Sequence, residues 1–383
     1  MEILFSSCCG IDVHSKNLLA CLIKDGKREI RTFSTMTADL LRMLDWLVIN
    51  HCTHIAIEST GVYWKPVFNL LDGEVEVILV NARHIKAVPG RKTDVKDCEW
   101  IADCLRHGLL RPSFIPPRHI RDLRELTRYR STLVKELSSV ANRIQKIAES
   151  ANIKLSEVVS DALGLSAKAM LRALARGETD VVKISEYAQR QLRAKKPQLR
   201  LALDGRLSQT QRWVLAQQLD RYDELESRLR QAEAKIEQEV AASPDPFVSE
   251  AVELLDTIPG VGRRVAEIMV AEMGADMEQF PTARHLASWA GMCPGNNESG
   301  GKRLSGKTTK GSKYLRAALI QAAWAATRKK DCFLAMQFQR LARRRGRSKA
   351  AVAVGHSILV IGYYVLKRKE SYKELGTSYF DDK

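Results

Sequence analysis

Residues 8–23 read CCGIDVHSKNLLACLI. Two apolar runs are separated by a short polar break, and the first run ends on a carboxylate, Asp12. A strand buried in a sheet does not favour an acid at its tip, because a charge there loses hydration. Asp12 is therefore either a turn residue or a group held in place for chemistry. REIRTFS (28–34) is a third run, and Asp25-Gly26 before it signals a hairpin turn. Further along, the pattern alternates. TADLLRMLDWLVIN (37–50) has helical spacing, and THIAIEST (53–60) is a fourth strand that also closes on an acid, Glu58. VYWKPVFNLL (62–71) is helical, VEVILV (75–80) is a fifth strand, and VKDCEWIADCLRHG (95–108) is a helix ended by Gly108. Three strands in succession, then alternating helices and strands, match a ribonuclease H-like α/β domain. FIPP (114–117) closes it, so the first domain is expected over 1–117.

Beyond this point the periodicity changes. Leu123, Leu126, Leu133, Leu137, Val140, Ile144 and Ile147 recur at three-and-four spacing, with Arg130 in the missing place. A second stripe runs through Leu219, Tyr222, Leu225, Leu229, Ala232 and Ile236. Both are heptad patterns and predict a helical coiled-coil middle region, 118–245. The stripes pair either within the chain or across a dimer. The long segment between them, with its basic RAKKPQLR (193–200), favours the dimer. SPDP (243–246) is a linker to a third domain, 246–383, predicted mostly α. In it, LLDTIPGVGRRVAEIMVAEMG (254–274) reads as a helix-hairpin-helix. Gly260 and Gly262 allow a tight turn and let backbone amides meet a phosphate; a plain helical hairpin is the alternative. A Gly-rich polar loop between two helices follows, and no internal repeat is read.

The chain has 383 residues, enough for two or three domains, and a net charge of +16. Fifteen Lys or Arg and one acid, Asp331, fall between Gly301 and Lys349, which places +14 in one stretch. Such a block attracts polyanions, most often nucleic-acid phosphates; the plain alternative is a solvated basic face. Within it RKK (328–330) and RLARRRGRSK (340–349), with Arg343, Arg344 and Arg345, are expected to hold phosphates rather than read bases. The eight cysteines include no C-x-x-C pair, which argues against a disulfide or zinc framework and fits a reducing compartment. No secretory leader is read at the start. AAVAVGHSILVIGYYVL (350–366) is short for a membrane span and reads as a buried helix.

Asp94 and Asp97, three apart in KTDVKDCEWIADCL (92–105), share one side of a helix start. In a ribonuclease H-like sheet the first and fourth strands are neighbours and a later helix packs across them. Asp12, Glu58, Asp94 and Asp97 then converge. Converging carboxylates repel unless divalent cations neutralise them, and hard oxygen ligands suit Mg²⁺ or Mn²⁺. Two such ions, about 3.5–4 Å apart, support phosphodiester chemistry. Taken singly, Asp94 is also a plausible helix cap, Asp97 a favourable acid at a helix start and Glu58 a surface acid. Glu99 and Asp103 are substitutes further along, and His14 is read as a neighbour rather than a ligand. PGNNESGGKRLSGK (294–307) sets Ser299 and Ser305 among glycines and cations. Lys302 and Arg303, followed by Lys307 and Lys310, suit phosphate neutralisation. Either a covalent nucleophile or a simple phosphate-binding loop satisfies this pattern. Tyr63, Trp64 and Trp289 are read as packing residues rather than base-stacking ones.

GIDVHSKN (10–17), IESTGVYW (57–64), NARHIKAVPGRKTDVKDCEWIADCL (81–105), IPGVG (258–262) and LASWAGMCPGNNESGGKRLSGKTTKGSKYLR (286–316) resemble the DEDD insertion-sequence transposases. That group is related to the Piv and MooV DNA invertases, and some members are guided by a bridge RNA. The resemblance spans nearly the whole chain. It implies a RuvC-like N-terminal domain, a coiled-coil region and a C-terminal transposase domain, acting as a DNA recombinase in the bacterial cytoplasm on the nucleoid. The family tetrad would fall on Asp12, Glu58, Asp94 and Asp97, with Mg²⁺ or Mn²⁺ bound. The nucleophilic serine would be Ser299, with Ser305 as runner-up. The resemblance further implies a composite active site shared between subunits, a dimer assembling to a tetramer, donor and target DNA chosen by the bridge RNA, and no membrane. A metal-dependent junction nuclease without a covalent serine, and a non-catalytic nucleic-acid binder, are the competing readings.

Overall fold

The computed structural model describes residues 2–59, 61–81, 85, 88, 97–294, 297–299, 302–305, 308–376 and 379, with backbone only for 297–299 and 302–305. The chain forms two compact units, Met1–Ile115 and Pro116–Lys383.

The first unit is built on β1 (Ser7–Val13), β2 (Asn17–Lys24), β3 (Lys27–Ser34), α1 (Thr37–Ile49), β4 (His54–Glu58), α2 (Trp64–Leu71), β5 (Glu76–Val80) and α3 (Asp97–Arg106). Sheet order is β3-β2-β1-β4-β5. The β1–β2 and β2–β3 pairs are antiparallel, whereas β1–β4 and β4–β5 are parallel. Asp25 and Gly26 both take positive φ, 49° and 81°, as a two-residue hairpin turn requires. Strand alternation divides the core into two layers. Cys9, Ile11 and Val13 of β1 and Ile55 and Ile57 of β4 meet Leu40, Met43 and Leu47 of α1 and Val67 and Leu71 of α2. Cys8, Cys21 and Ala56, on the opposite face, meet Cys98, Ile101, Ala102 and Leu105 of α3. The central strands are thus covered on both sides, which is why CCGI reads as a continuous apolar run. This strand order, with helices on both faces, is the ribonuclease H-like arrangement.

Among its described residues the second unit is helical apart from one small hairpin. Its elements are α4 (Arg118–Ser150), α5 (Leu155–Val158), α6 (Leu165–Ala175), α7 (Val181–Ser185), α8 (Lys196–Leu203), α9 (Gln209–Ala241), α10 (Phe247–Asp256), α11 (Arg263–Met273), α12 (Ala283–Trp289), β6 (Asn297–Ser299), β7 (Lys302–Ser305), α13 (Lys313–Ala326), α14 (Phe333–Arg345) and α15 (Arg347–Arg368). The two heptad stripes lie on α4 and α9. They do not wait for a second subunit, contrary to the expectation of a dimer seam. Leu133, Val140 and Ile144 share one buried cluster with Leu215, Leu219, Leu225 and Ala232. The pairing is antiparallel, since Arg130 meets Glu233 at 2.7 Å, Arg221 meets Glu136 at 3.6 Å and Gln211 reaches Ser150 at 3.1 Å. The physical reason is the segment between them. α5 to α8, which connect the two helices, fold back along the hairpin from its connected end and add Met170, Leu171, Leu174, Leu199 and Leu203 to the same cluster. Arg130, the break in the first stripe, is the residue that forms the ion pair.

α10 and α11 make a helical hairpin through Thr257–Gly262. α15 carries residues 350–366 and is the one described helix long and apolar enough to cross a membrane. Ala351, Val354, Ile358, Leu359 and Leu366 are buried in this unit, and Tyr363 donates its hydroxyl to the Phe280 carbonyl at 3.0 Å. The packing accounts for its composition.

Candidate active site

Asp12 is the penultimate residue of β1 and Glu58 is the last residue of β4. Ile11 pairs with Ile57, so Asp12 and Glu58 stand at the same level on adjacent parallel strands. Backbones at such neighbours are about 4.8 Å apart, and side chains at one level point to one face. That face is the one α3 covers. Gly10 makes the approach possible: a Cβ there would run into the backbone of Cys98 and Ala102. Asp97 opens α3 directly before Cys98, two strand positions from Asp12 along the contact. The three acids are thus brought to the same end of one sheet face, by strand register in one case and by helix packing in the other. Asp94 lies outside the described residues.

Asp12 is half-buried, and burial pushes its carboxyl above the ordinary aspartate range. His14, 3.2 Å away, pulls it down, and the charge of Asp97 pushes it up further. His14 is therefore a direct partner of Asp12. Among the described residues no three His, Cys, Asp or Glu side chains are gathered closely enough to hold a metal ion. The donor chemistry nevertheless fits a hard divalent cation: the charge of Asp97 acts on the half-buried Asp12 carboxylate, whose imidazole partner, His14, is exposed.

The segment read as a polar loop is a two-stranded hairpin. Ser299 pairs with Lys302, Glu298 with Arg303, and Ser305 with Asn297 at the base. A bridge between Pro294 and Thr308 closes the root, and Arg316 donates to the Thr308 hydroxyl. Side chains of Ser299, Lys302, Arg303 and Ser305, and all of Lys307, lie outside the described residues; Lys310 is exposed.

Residues 9–153 match the DEDD transposase model of the IS110 group, and residues 252–337 match the model described as "Transposase IS116/IS110/IS902 family". The chain is 26% identical over 326 residues to a "Probable family 20 transposase" of Pseudomonas aeruginosa, covering 83% of this chain and 85% of that protein. It is 25% identical to the "Transposase for insertion sequence element IS1111A" of Coxiella burnetii, over 95% of this chain and 90% of the relative. To the "Pilin gene-inverting protein" of Moraxella bovis it is 23% identical, over 95% and 96% of the two chains. The chain belongs to the DEDD insertion-sequence transposases. This transposase is a DNA-modifying enzyme of the recombinase class, and its first unit has the ribonuclease H-like fold.

Elsewhere in the transposase the expected contacts sort by environment. Gly260 takes φ 85°, and a Cβ on it would meet the backbone of Ala322 and Ala326 in α13, so packing requires this glycine. Gly262, the residue before α11, faces open space. Arg264, two residues on, is tied to Glu237 at 2.9 Å and Glu267 at 3.0 Å. Arg343, Arg344 and Arg345 end α14 in full exposure with no ion pair among the described residues. Trp64 packs edge-on against Phe68, and Trp289 against Phe280, while Tyr63 is 46% exposed. Sequence reasoning missed Glu272. It is 1% exposed, accepts two bonds from Arg128 at 2.7 and 2.8 Å, and accepts the Ser312 hydroxyl at 2.9 Å. Its signal was one acid inside the otherwise apolar VAEMG (270–274), too slight to separate from a solvent-facing residue.

Proposed function

We propose that this transposase cuts and rejoins DNA strands of its own insertion sequence, with Asp12, Glu58, Asp94 and Asp97 as ligands for Mg²⁺ or Mn²⁺, Ser299 as covalent nucleophile and a bridge RNA as guide. The observation that carries the reading is the placement of Asp12 and Glu58 at one level on adjacent strands, with Asp97 near enough to act on Asp12. Bound cations would supply charge neutralisation at the scissile phosphate and the departing oxygen. The Ser299 oxygen forms a bond to phosphorus as the strand's own P–O bond breaks; the serine gives up its proton and the departing oxygen gains one. Attack by an incoming strand reverses the step and releases the serine. Its place beside Gly300-Gly301, at the end of β6 away from the root, favours Ser299 over Ser305.

Gly262, Lys302, Arg303, Lys307, Lys310 and Arg343–Arg345 would hold phosphates, whereas Gly260 serves packing first. Subunits assemble as a dimer and then a tetramer in this reading, so that carboxylates and serine come from different copies. That assembly draws no support from the heptad stripes, which are satisfied internally. The substrate places the reaction in the bacterial cytoplasm on the nucleoid.

The test is strand exchange between donor and target DNA with Mg²⁺ and the element's flanking RNA. Asp12→Ala and Ser299→Ala are each expected to abolish both strand cutting and exchange. Normal exchange by either variant rejects the site assignment. Hydrolysed DNA from Ser299→Ala, never protein-linked, indicates the junction nuclease instead. Salt-sensitive binding indifferent to loss of the acids indicates a non-catalytic binder.

A further inference from the structure

Three cationic side chains from two helices converge on one aromatic ring. Arg128 of α4 stands 4.9 Å from the Tyr314 ring centroid, Lys135 of the same helix 5.7 Å, and Lys313 of α13 5.2 Å. The chain reaches Tyr314 directly from the serine hairpin, through Thr308 and Ser312. The three cations differ in standing. Arg128 is spent, because its guanidinium gives two bonds to the buried Glu272. Arg124, one turn earlier, is spent as well, on the carbonyls of Ala271 and Glu272 that end α11. Lys135 and Lys313 are exposed and form no ion pair among the described residues.

Gathering these two ammonium groups works against two forces. At 5.7 and 5.2 Å from one centroid they stand no more than about 11 Å apart, a range at which like charges repel modestly, and the face of the ring offsets that only in part. Lys313 also opens α13, where the helix dipole disfavours a cation, and no acid stands in that turn. A charge pair assembled against both is poised for an external anion.

We propose that Lys135, Lys313 and Tyr314 form a phosphate seat for a nucleic-acid strand, where the α4–α9 hairpin meets the start of α13. The ligand is the phosphodiester backbone of DNA, gripped without reading bases. Tyr314 draws the lysines together, while Ser312, bonded at once to Glu272 and to the Leu315 amide, fixes the helix end that carries them. A strand held here is anchored beside the root of β6–β7. The seat deepens the proposed function and rests on it for the identity of the strand.

The test measures affinity of the full-length protein for fluorescein-labelled duplex DNA of two unrelated sequences, as a function of salt. The Lys135→Gln/Lys313→Gln double variant is expected to flatten the slope of log affinity against log salt by about two, one per lost phosphate contact, equally on both duplexes. Tyr314→Ala weakens binding severalfold at fixed salt, and Tyr314→Phe restores it. Lys313→Gln alone raises the thermal midpoint slightly, because the dipole conflict is gone. A wild-type slope in the double variant overturns the seat, as does a lowered midpoint in Lys313→Gln, which would make that lysine structural. Failure of the wild type to cleave DNA, with the slope change intact, would strike the proposed reaction and leave the seat standing.

Discussion

Gly10 has no side chain because α3 occupies the space where one would be, and that close approach is what sets Asp97 beside Asp12. Gly10→Ala is expected to cost about 1–3 kcal/mol, the range for overpacking, since the obstructing atoms are backbone and have no rotamer to change. Chemical denaturation measures the loss; an unchanged midpoint would mean that α3 does not seat on β1. The cysteines of this unit supply a pH test. Burial pushes the thiols of Cys8 and Cys104 up to about 11, and those of Cys21 and Cys52 up to about 12, from an ordinary 9.0. A thiol that ionises near 9 when unfolded and only at 11–12 when folded contributes stability that is intact below pH 9 and declines as pH climbs from there. Stability is therefore expected to fall above pH 9. Iodoacetamide at pH 8 should modify Cys293 first, the one cysteine not buried, with the other seven reacting only after unfolding. Early labelling of Cys8 or Cys21, read by peptide mass spectrometry, would contradict the burial.

The α4–α9 hairpin shows what an amphipathic stripe does and does not specify. Heptad spacing sets a helix face and buries it against some other apolar face; it does not name that face. Here α5–α8 connect the two helices and fold back along the hairpin, so the partner is the same chain. Leu219 is fully buried in the shared cluster, and Leu219→Ala is expected to lower unfolding free energy by about 2–5 kcal/mol. Because the seam is internal, the loss should be the same at every protein concentration. A loss that shrinks as concentration rises would put the seam between subunits. The short β6–β7 arm is the opposite case. It has no apolar stripe, and its Gly-rich sequence resembles a loop. Register comes instead from the pinched root at Pro294 and Thr308, a long-range contact with no local signature.

The two units carry different parts of the expected reaction, and each can be probed in the intact protein. Mg²⁺ or Mn²⁺ should raise the thermal midpoint of the wild type but not of Asp12→Asn, with about 2.7 kcal/mol of stabilisation at a hundredfold excess over the dissociation constant. Equal shifts in both proteins would remove Asp12 from the ligand set. Replacing Arg343, Arg344 and Arg345 with Gln should weaken binding to all DNA sequences alike and flatten the salt slope by about three; a loss confined to one sequence would instead mean base reading. From local pattern alone, the order of strands and helices in Met1–Ile115 was legible, and so were acids at the ends of β1 and β4 and a basic block near the end of the chain. Alternation and helical spacing are properties of neighbouring residues, and a carboxylate at the tip of an apolar run is visible without any partner. What the chain's own periodicity left open was decided by contacts between distant segments. Packing made Gly260 a contact for α13, paired the two stripes with each other, sank Glu272 beneath Arg128, and left Lys135 and Lys313 beside Tyr314 with no ion pair among the described residues. Whether a charge is spent or available depends on what folds against it, and residues as far apart as 128 and 272 carry no local mark of their meeting.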